Sequence, residues 1–383
     1  MIIIKWKLDA RMVLGIVSYN IYCTFTNYGS ALQSWALSQA IEKLGHKAKL
    51  VDYCPDILAD KDTLNPFPHM WDQDEISHKN CEMTLPAIRE NYYKFDRFYH
   101  ERFDRTLHKY TSVNFNEIVV DENIDGFVCG SDTIFCILEF QGFDDGYFAN
   151  YDCMKNGYAV SYAASFGDAV FDDETLPILK DRLQNFKALG LRENTLIDYV
   201  RENTNVQVKQ VIDPTLLLTA SDYDIIADKR LIDEQYILLY TRRYDPNMEA
   251  YAERLAESLN CRIVEISLRA VNSEKGHIMY YKAGVEEFLS LVKHSEAVVT
   301  NSFHGLIFGV QYSRQIHIFT REQADKKICD VLRICDLTDR VIADPEVILT
   351  NSIDYEKVHL NLESKRQESL DFLKMELDNC PHM

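Results

Sequence analysis

The sequence predicts an α/β protein made of two Rossmann-like domains that face a cleft, followed by a C-terminal helix. Short apolar runs rich in β-branched residues alternate with longer stretches of helical period, as in parallel α/β sheets. At 383 residues, the chain is long enough for two domains. A final amphipathic stretch has no strand after it, so we expect domains at 12–212 and 213–353 and a closing helix at 354–383.

The first half of the chain contains four apolar runs with the composition of buried strands. We expect these strands at 13–19, 47–53, 127–130 and 159–164, and helices at 28–44, 85–108 and 173–187. Residues 55–81 show no period and predict a long loop or lid. Its Phe67 and Trp71 are candidates either for stacking on a sugar or for ordinary core packing.

The second half repeats the alternation with a new set of strands. We expect strands at 236–242, 262–267, 297–300 and 315–319, and helices at 247–259, at 285–294 and after the turn at 301–305. His317 falls within the last strand, where we expect it to be packed rather than to bind a ligand.

Composition limits the classes of function. The formal net charge of −19 argues against nucleic acid and against adhesion to an anionic membrane surface. The ten cysteines include no CxxC pair and no His/Cys metal spacing, which indicates reduced thiols in a cytoplasmic protein without a metal site. No stretch resembles a membrane span or the apolar region of a signal peptide.

The stretch "AVVTNSFHGLIFGVQYSR" (297–314) predicts a strand, a tight turn and a helix. Asn301 or Ser302 has the character of an N-cap, which places His304 in the first helical turn. Free N–H groups and the helix dipole favour an anion there. His304 is therefore a candidate for chemistry on a phosphate or carboxylate, although a histidine that caps or packs is the simpler alternative.

Ligands of open parallel sheets bind beyond the carboxyl ends of the strands, so polar residues at the other strand ends are further candidates. After the first strand, Asn27 and Gly29 form a turn in which the glycine permits close approach of a ligand, or Asn27 is an ordinary N-cap. The turn fits neither GxGxxG nor a P-loop. After "FVC", Asp132 is a candidate to accept a proton from a substrate hydroxyl or to cap its turn.

Several cations also occupy strand ends or helix starts, where an anionic ligand needs them. Arg192 is a natural bidentate partner for carboxylate or phosphate, or a salt-bridge partner of Asp213. Arg242 and Arg243 follow another strand. Lys326 and its neighbour Lys327 begin a helix, where the dipole disfavours cations, which hints at a nearby anion.

Taken together, these loops resemble the polysaccharide pyruvyl transferase family. The similar segments, in family order from about residue 12 to about residue 340, are "NYGSALQSWAL", "VCGSDTIF", "AVSYAASFG", "ALGLREN", "VIDPTLLL", "TNSFHGLIFGVQYS" and "KKICDVLRICDLTDR". The resemblance implies a GT-B-like fold and transfer of pyruvate from phosphoenolpyruvate to two sugar hydroxyls as a ketal. It implies no metal and no organic cofactor.

The resemblance also assigns roles. His304 matches the family's His-Gly position and should meet the donor, with Ser302 and Gly305 in the same turn. Many members have an arginine where this chain has Ser302, so another cation must hold the donor. Arg192 is our first choice, then Arg242 or Arg243, then Lys326. The segment 213–215 matches a family motif that we interpret as structural.

The expected reaction uses His304 as proton donor to the methylene carbon and Asp132 as acceptor of the hydroxyl proton. The expected acceptor is a sugar or lipid-linked oligosaccharide of surface or capsular polysaccharide, at the cytoplasmic face of the membrane. Peripheral association with a membrane-bound acceptor and homo-oligomerisation are further expectations. The alternatives are a GT-B glycosyltransferase using a nucleotide sugar and a catalytically silent sugar- or phosphoenolpyruvate-binding homologue.

Overall fold

Two parallel β-sheets form the framework of the computed structural model, which describes residues 11–70, 72–320 and 325–381. The first sheet contains β1 (Val13–Val17), β2 (Lys47–Tyr53), β3 (Arg105–Tyr110), β4 (Gly126–Cys129), β5 (Ala159–Ala164), β6 (Ala188–Leu191) and β7 (Gln207–Gln210). The second contains β8 (Tyr236–Tyr240), β9 (Arg262–Ile266), β10 (Ile278–Met279), β11 (Ala297–Thr300) and β12 (Gln315–Ile318).

Helices connect and cover the strands. They are α1 (Tyr28–Lys43), α2 (Glu75–Arg102), α3 (Ile118–Glu122), α4 (Asp152–Lys155), α5 (Thr175–Leu183), α6 (Ile197–Asn203), α7 (Ala220–Tyr223), α8 (Pro246–Leu259), α9 (Val285–Lys293), α10 (Phe303–Gln311), α11 (Asp325–Cys335) and α12 (Tyr355–Asp378). Among the described residues, no helix is long and apolar enough to cross a membrane.

The strand order of each sheet contains one switch point. The first sheet has the order β3-β2-β1-β4-β5-β6-β7 and the second β10-β9-β8-β11-β12, with parallel pairing throughout. The chain therefore changes direction across the sheet between β1 and β4, and again between β8 and β11. Such points open a crevice at the carboxyl edge, which is where ligands of these folds bind.

Contacts between the sheets bring the two carboxyl edges together. The ring of Tyr28 in α1 stacks on Phe288 in α9 at 4.4 Å, and its hydroxyl donates to the carbonyl of Ala283 at 2.8 Å. Lys94 in α2 pairs with Glu287 in α9 at 2.7 Å. The predicted α/β architecture, with two Rossmann-like parallel sheets and a C-terminal helix, is confirmed. The exact domain bounds stay a prediction.

Most predicted elements match the observed ones, and α2 is the main exception. This helix begins at Glu75, where the Asp74 carboxylate accepts from the Ser77 N–H at 3.0 Å, and it ends at Arg102. Our expected helix at 85–108 was therefore wrong at both ends, and it hid β3. The predicted loop at 55–81 is correspondingly shorter, and short 3₁₀ turns interrupt it.

The structure describes only one of the two aromatic candidates in this loop. Phe67 is partly buried against the small core around Met70, Cys81 and Ile88, which agrees with the packing alternative. Trp71 lies outside the described residues.

Helix α12 crosses back from the second sheet to the first. The Tyr158 hydroxyl donates to the carbonyl of Glu376 at 2.6 Å, and the Ile212 N–H donates to the Ser369 hydroxyl at 3.1 Å. The Arg366 guanidinium donates to the carbonyl of Leu216 at 2.8 Å. The C-terminal helix therefore braces the segment that joins the two sheets.

Candidate active site

Loops at the carboxyl edges of both sheets meet in a buried group of polar side chains. We call it the charge cluster; its members are Asp132, Arg192, Glu193, Asp213 and His304. Asp132 and Arg192 follow β4 and β6 of the first sheet, whereas His304 follows β11 of the second. The cluster is therefore complete only when the two sheets are in contact.

His304 lies in the first turn of α10, as predicted. Ser302 is the N-cap, and its hydroxyl accepts from the Gly305 N–H at 3.3 Å. The imidazole is 7% exposed, and its Nε2 lies 3.7 Å from Asp213 Oδ2. That distance is within ion-pair range but too long for a hydrogen bond. The buried Nε2 has no hydrogen-bond partner among the described residues.

Asp213 lies beside both Arg192 and His304 and connects them. Its Oδ1 accepts from the N–H of Thr215 at 3.0 Å and from the Thr215 hydroxyl at 2.6 Å, which leaves Oδ2 for Arg192 and His304. Burial raises the pKa of Asp213, but His304, Arg192 and Thr215 outweigh it and hold the pKa well below its usual range. The carboxylate is therefore ionised at neutral pH.

Sequence reasoning assigned Asp213 to the domain junction and missed its place beside His304. The available signal was the Asp-Pro-Thr turn directly after an apolar run, because such turns present side chains at the carboxyl edge of a sheet.

Arg192 adopts the salt-bridged alternative and keeps one free donor. Its Nε donates to Glu193 Oε1 at 3.1 Å and its Nη1 to Asp213 Oδ2 at 3.2 Å. Burial lowers the pKa of Arg192, but the carboxylates of Glu193, Asp213 and Asp132 raise it above the ordinary value. Its Nη2 is buried without a partner among the described residues, and a ligand oxygen can fill that vacancy.

Asp132 has a left-handed backbone with φ of 71°, which aims its side chain into the cluster. Its Oδ2 accepts from the Ser30 hydroxyl at 2.6 Å, and its Oδ1 accepts from the N–H of Thr133 at 2.9 Å. Burial raises the pKa of Asp132, but nearby cations, among them Arg192, outweigh that effect and lower it. Asp132 is therefore also ionised at neutral pH.

The predicted turn at Asn27 and Gly29 serves the protein itself. Asn27 is the N-cap of α1, and its side chain accepts from the Gly29 N–H at 3.0 Å. A Cβ at Gly29 would lie 1.8 Å from Nδ1 of His304. The close approach that we expected for a ligand is in fact an approach to the imidazole, because the first turns of α1 and α10 pack together.

Gly305 also has a packing role. A Cβ there would lie 2.5 Å from the Thr300 hydroxyl oxygen and 3.0 Å from the Tyr240 ring. The glycine lets α10 sit against β8 and β11, so it holds the turn that carries His304 instead of lining the site.

The remaining predicted cations are more exposed. Arg242 and Arg243 follow β8 with exposed side chains, and Asn301 joins their backbone to the His304 loop by hydrogen bonds of 3.0 and 2.8 Å. Lys326 is exposed, whereas its neighbour Lys327 is partly buried.

The sequence pointed to Lys326, but the contacts near the charge cluster belong to its neighbour Lys327. Its Nζ is 5.7 Å from the centre of the Phe303 ring, and Cζ of Arg192 is 5.0 Å from the same centre. Arg192, Asp213, Phe303 and Lys327 line one end of a cavity of about 400 Å³ that extends between β7, α11 and α12. In the described part of the chain, no group of three or more His, Cys, Asp or Glu side chains could hold a metal ion.

A histidine beside an ionised carboxylate, a second carboxylate and a buried arginine form a constellation typical of group-transfer enzymes. Residues 27–323 match the family described as polysaccharide pyruvyl transferase, and the chain belongs to that family. No curated protein matches the chain.

Several solved structures resemble the chain in fold, at low sequence identity. A glycosyltransferase from Rickettsia africae shares 11% identity, with 96% of this chain and 99% of that chain covered and a TM-score of 0.49. A UDP-GlcNAc 2-epimerase from Methanocaldococcus jannaschii shares 13%, with 92% of each chain covered and a TM-score of 0.46. A UDP-GlcNAc 2-epimerase from Neisseria meningitidis, bound to UDP-GlcNAc, shares 9%, with 97% and 95% covered and a TM-score of 0.44.

Proposed function

We propose that the protein transfers the pyruvyl group of phosphoenolpyruvate to two hydroxyl groups of a sugar, forming a cyclic ketal. Membership of the family supports a pyruvyl transferase acting on a sugar or polysaccharide. The observation that carries the proposal is the buried pair of His304 and the ionised Asp213, 3.7 Å apart and beside Arg192.

Protonation of the donor requires an acid. Phosphoenolpyruvate becomes electrophilic when its methylene carbon gains a proton, which leaves positive character on the carbon that bears the phosphate. A histidine exchanges protons near neutral pH, and Asp213 fixes its ring orientation from the Nε2 side. The Nδ1 side packs against Gly29 in the first turn of α1. We assign proton donation to His304.

Attack by the sugar requires a base for its hydroxyl proton. Asp132 is ionised and already accepts a hydrogen bond from the Ser30 hydroxyl at 2.6 Å, so it accepts hydroxyl donors in this geometry. As the first sugar oxygen bonds to the electrophilic carbon, its proton passes to Asp132. We assign this role to Asp132.

The whole reaction balances without a redox partner. One proton adds to the methylene carbon, two sugar oxygens bond to the neighbouring carbon, the bond from that carbon to the phosphate oxygen breaks, and inorganic phosphate leaves. Of the two hydroxyl protons, one replaces the proton taken up by the methyl group and one leaves with phosphate or solvent. Phosphoenolpyruvate is thus a substrate, and the proposal includes no metal or organic cofactor.

The proposed acceptor is a sugar or lipid-linked oligosaccharide of surface or capsular polysaccharide, handled at the cytoplasmic face of the membrane. Peripheral association with a membrane-bound acceptor and a homo-oligomer belong to the same proposal. The net charge of −19 supports a discrete anionic donor over a polyanion, because only local cations can attract an anion.

The test is a product assay with phosphoenolpyruvate and a panel of pyranosides that carry free neighbouring or 4,6-placed hydroxyls. We expect one phosphate released for each acid-labile ketal formed, and loss of turnover in His304→Ala. His100→Ala, at an exposed histidine of α2, is the matched control and should keep full activity. Turnover by His304→Ala near the wild-type rate would contradict the assignment.

A further inference from the structure

The proposed reaction releases two hydroxyl protons, and Asp132 is the assigned base for only the first. The first sugar oxygen bonds to the electrophilic carbon while phosphate is still attached. The second sugar oxygen attacks the same carbon after phosphate has left, and it also carries a proton. A carboxylate that already holds one proton is a poor acceptor of another. The second attack therefore needs a second base, or an Asp132 that has first passed its proton on.

A second carboxylate lies in the same loop as Asp132. Glu139 belongs to the segment between β4 and α4, and its Oε2 accepts from the Thr133 hydroxyl at 3.0 Å and from the Tyr19 hydroxyl. The Thr133 N–H donates to Asp132 Oδ1 at 2.9 Å. One threonine therefore links the two carboxylates.

The contact between Tyr19 and Glu139 spans the switch point of the first sheet. Tyr19 follows β1 and Glu139 follows β4, and the crevice between these strands is where a ligand of this fold binds. Tyr19 is buried, whereas Glu139 is exposed. The exposed carboxylate can therefore meet a sugar hydroxyl, and the buried tyrosine holds it in place.

The Glu139 carboxylate has one oxygen free for a further hydrogen bond. Both bonds from the protein reach Oε2, and Oε1 has no hydrogen-bond partner among the described residues. Loss of hydration at the carboxylate raises the pKa of Glu139 above its ordinary value, opposed by the Tyr19 hydrogen bond and helped by the charge of Asp132. The pKa of Asp132 lies below its ordinary value. Glu139 is therefore the stronger base of the two.

We propose that Glu139 is a second catalytic residue, whose Oε1 accepts the proton of the second sugar hydroxyl as the ketal ring closes. The bond formed joins the second sugar oxygen to the carbon that phosphate has left. The bond broken is the O–H bond of that hydroxyl, and its proton passes to the carboxylate. The inference rests on the proposed function and deepens it, because it divides the two attacks between Asp132 and Glu139.

Loss of this base should uncouple phosphate release from ketal formation. In Glu139→Gln the first attack and the loss of phosphate still occur, but water competes with the second hydroxyl for the electrophilic carbon. Addition of water gives a hemiketal, which opens to free pyruvate and the unchanged sugar. We expect phosphate release within about threefold of the wild-type rate and a fall of about tenfold or more in ketal formed per phosphate. Phosphate, pyruvate and ketal are measured in the same reaction.

Two further variants control for changes in folding. Glutamine at position 139 can still accept from Tyr19 and Thr133 through its amide oxygen, so Glu139→Gln should melt at the wild-type temperature. Glu174→Gln, at an exposed glutamate just before α5, is the matched control and should form one ketal for each phosphate. If Glu139→Gln does not fold, Glu139→Asp keeps the charge, withdraws the carboxylate by one methylene and should also release pyruvate.

The outcomes separate this inference from the proposed function. One ketal for each phosphate in Glu139→Gln would overturn the inference alone, because Asp132 would then have passed its first proton to phosphate and served both attacks. Loss of all phosphate release in Glu139→Gln would also overturn it, because Glu139 would then act before the second attack. If the wild type releases no phosphate from phosphoenolpyruvate with any sugar of the panel, the proposed function falls as well. Uncoupling confined to the Glu139 variants supports both.

Discussion

Three neighbours set the position of the His304 imidazole. Gly29 lets the ring pack close because it has no Cβ, the Asp213 carboxylate lies beside Nε2, and Ser302 caps the helix that carries the histidine. Ser302 stands where the resemblance implied an arginine in many members, and its hydroxyl is occupied by the cap. Arg192 is the buried cation of this region, and Lys327 is partly buried.

A methyl group at Gly29 should displace the imidazole. Gly29→Ala places a Cβ 1.8 Å from Nδ1 of His304, so the ring must rotate away from Asp213. We expect turnover to fall about a hundredfold, as for a misplaced catalytic group. Because the added methyl group overpacks a buried site, the free energy of unfolding should also fall, by about 1–3 kcal/mol. Measured kcat together with urea unfolding tests this, and an unchanged kcat would contradict the packing of Gly29 against His304.

Removal of the Asp213 charge should lower the free energy of unfolding. Asp213→Asn keeps the shape but leaves the buried Arg192 with a weaker partner, so we expect a loss of about 3 kcal/mol in the free energy of unfolding. The control is Asp222→Asn at a partly exposed ion pair with Lys43, where the loss should be below about 1 kcal/mol. Equal losses in the two variants, measured by urea unfolding, would argue against the special position of Asp213.

At the scale of elements, composition predicted most central strands and the edge strand β12, but not the edge strands β3 and β7. The strands β5 and β11 are entirely buried and apolar enough to be found at their observed bounds. The edge strands β3 and β7 carry Arg, His, Lys and Gln because one side of each lacks a neighbouring strand, so their sequences do not alternate clearly.

The candidate active site could likewise be predicted only in part from the sequence. His304, Arg192 and Asp132 are strand-end residues and could be predicted, although their roles stay predictions. The pairing of Asp213 with His304, and of Gly29 with the same ring, joins residues far apart in the chain. No local pattern encodes such contacts, and for this reason the sequence pointed to Lys326, although its neighbour Lys327 lies near the Phe303 ring.

The packing of β12 on α8 gives a prediction on pH. His317 is buried, its Nδ1 lies 2.8 Å from the Tyr251 hydroxyl, and burial, with a smaller effect of Arg340, lowers the pKa of His317 to about 4. Because this value is below that of the unfolded chain, 6.5, the unfolded state takes up the proton first as pH falls. Stability from His317 is therefore present above pH 6.5 and is lost as pH falls toward 4.

We expect this histidine to contribute about 3 kcal/mol of the loss in the free energy of unfolding between pH 7 and pH 4. Asp132 and Asp213 act in a lower window, because their pKa values are depressed below the unfolded reference of about 3.9. Urea unfolding between pH 7 and pH 4 should show that the free energy of unfolding falls less steeply with pH in His317→Gln than in the wild type. Equal slopes in the two proteins would contradict the assignment of this loss to His317.

At the scale of the whole molecule, both sheets supply residues of the site, and α12 holds the two sheets together. Asp132, Arg192 and Glu193 come from the first sheet, whereas His304 comes from the second. The stacking of Tyr28 on Phe288 and the contacts of α12 with the linking segment therefore act on the site, although none of these residues belongs to the charge cluster.

Loss of the α12 brace should lower stability. Arg366→Met removes the donor to the buried carbonyl of Leu216, three residues after Asp213, and we expect a loss of about 2 kcal/mol in the free energy of unfolding. Arg201→Met, at an exposed pair with Asp198 on α6, is the matched control and should lose less than about 0.5 kcal/mol. An unaffected Arg366→Met would show that α12 does not brace the linking segment.

The central claim is that the two sheets together bind phosphoenolpyruvate at His304. The most direct measurement is calorimetric titration of the wild type and of His304→Ala with phosphoenolpyruvate, beside UDP- and GDP-sugars. The account predicts saturable binding of phosphoenolpyruvate that is weakened in His304→Ala, and no comparable binding of the nucleotide sugars. Saturable binding of a nucleotide sugar without binding of phosphoenolpyruvate would contradict it.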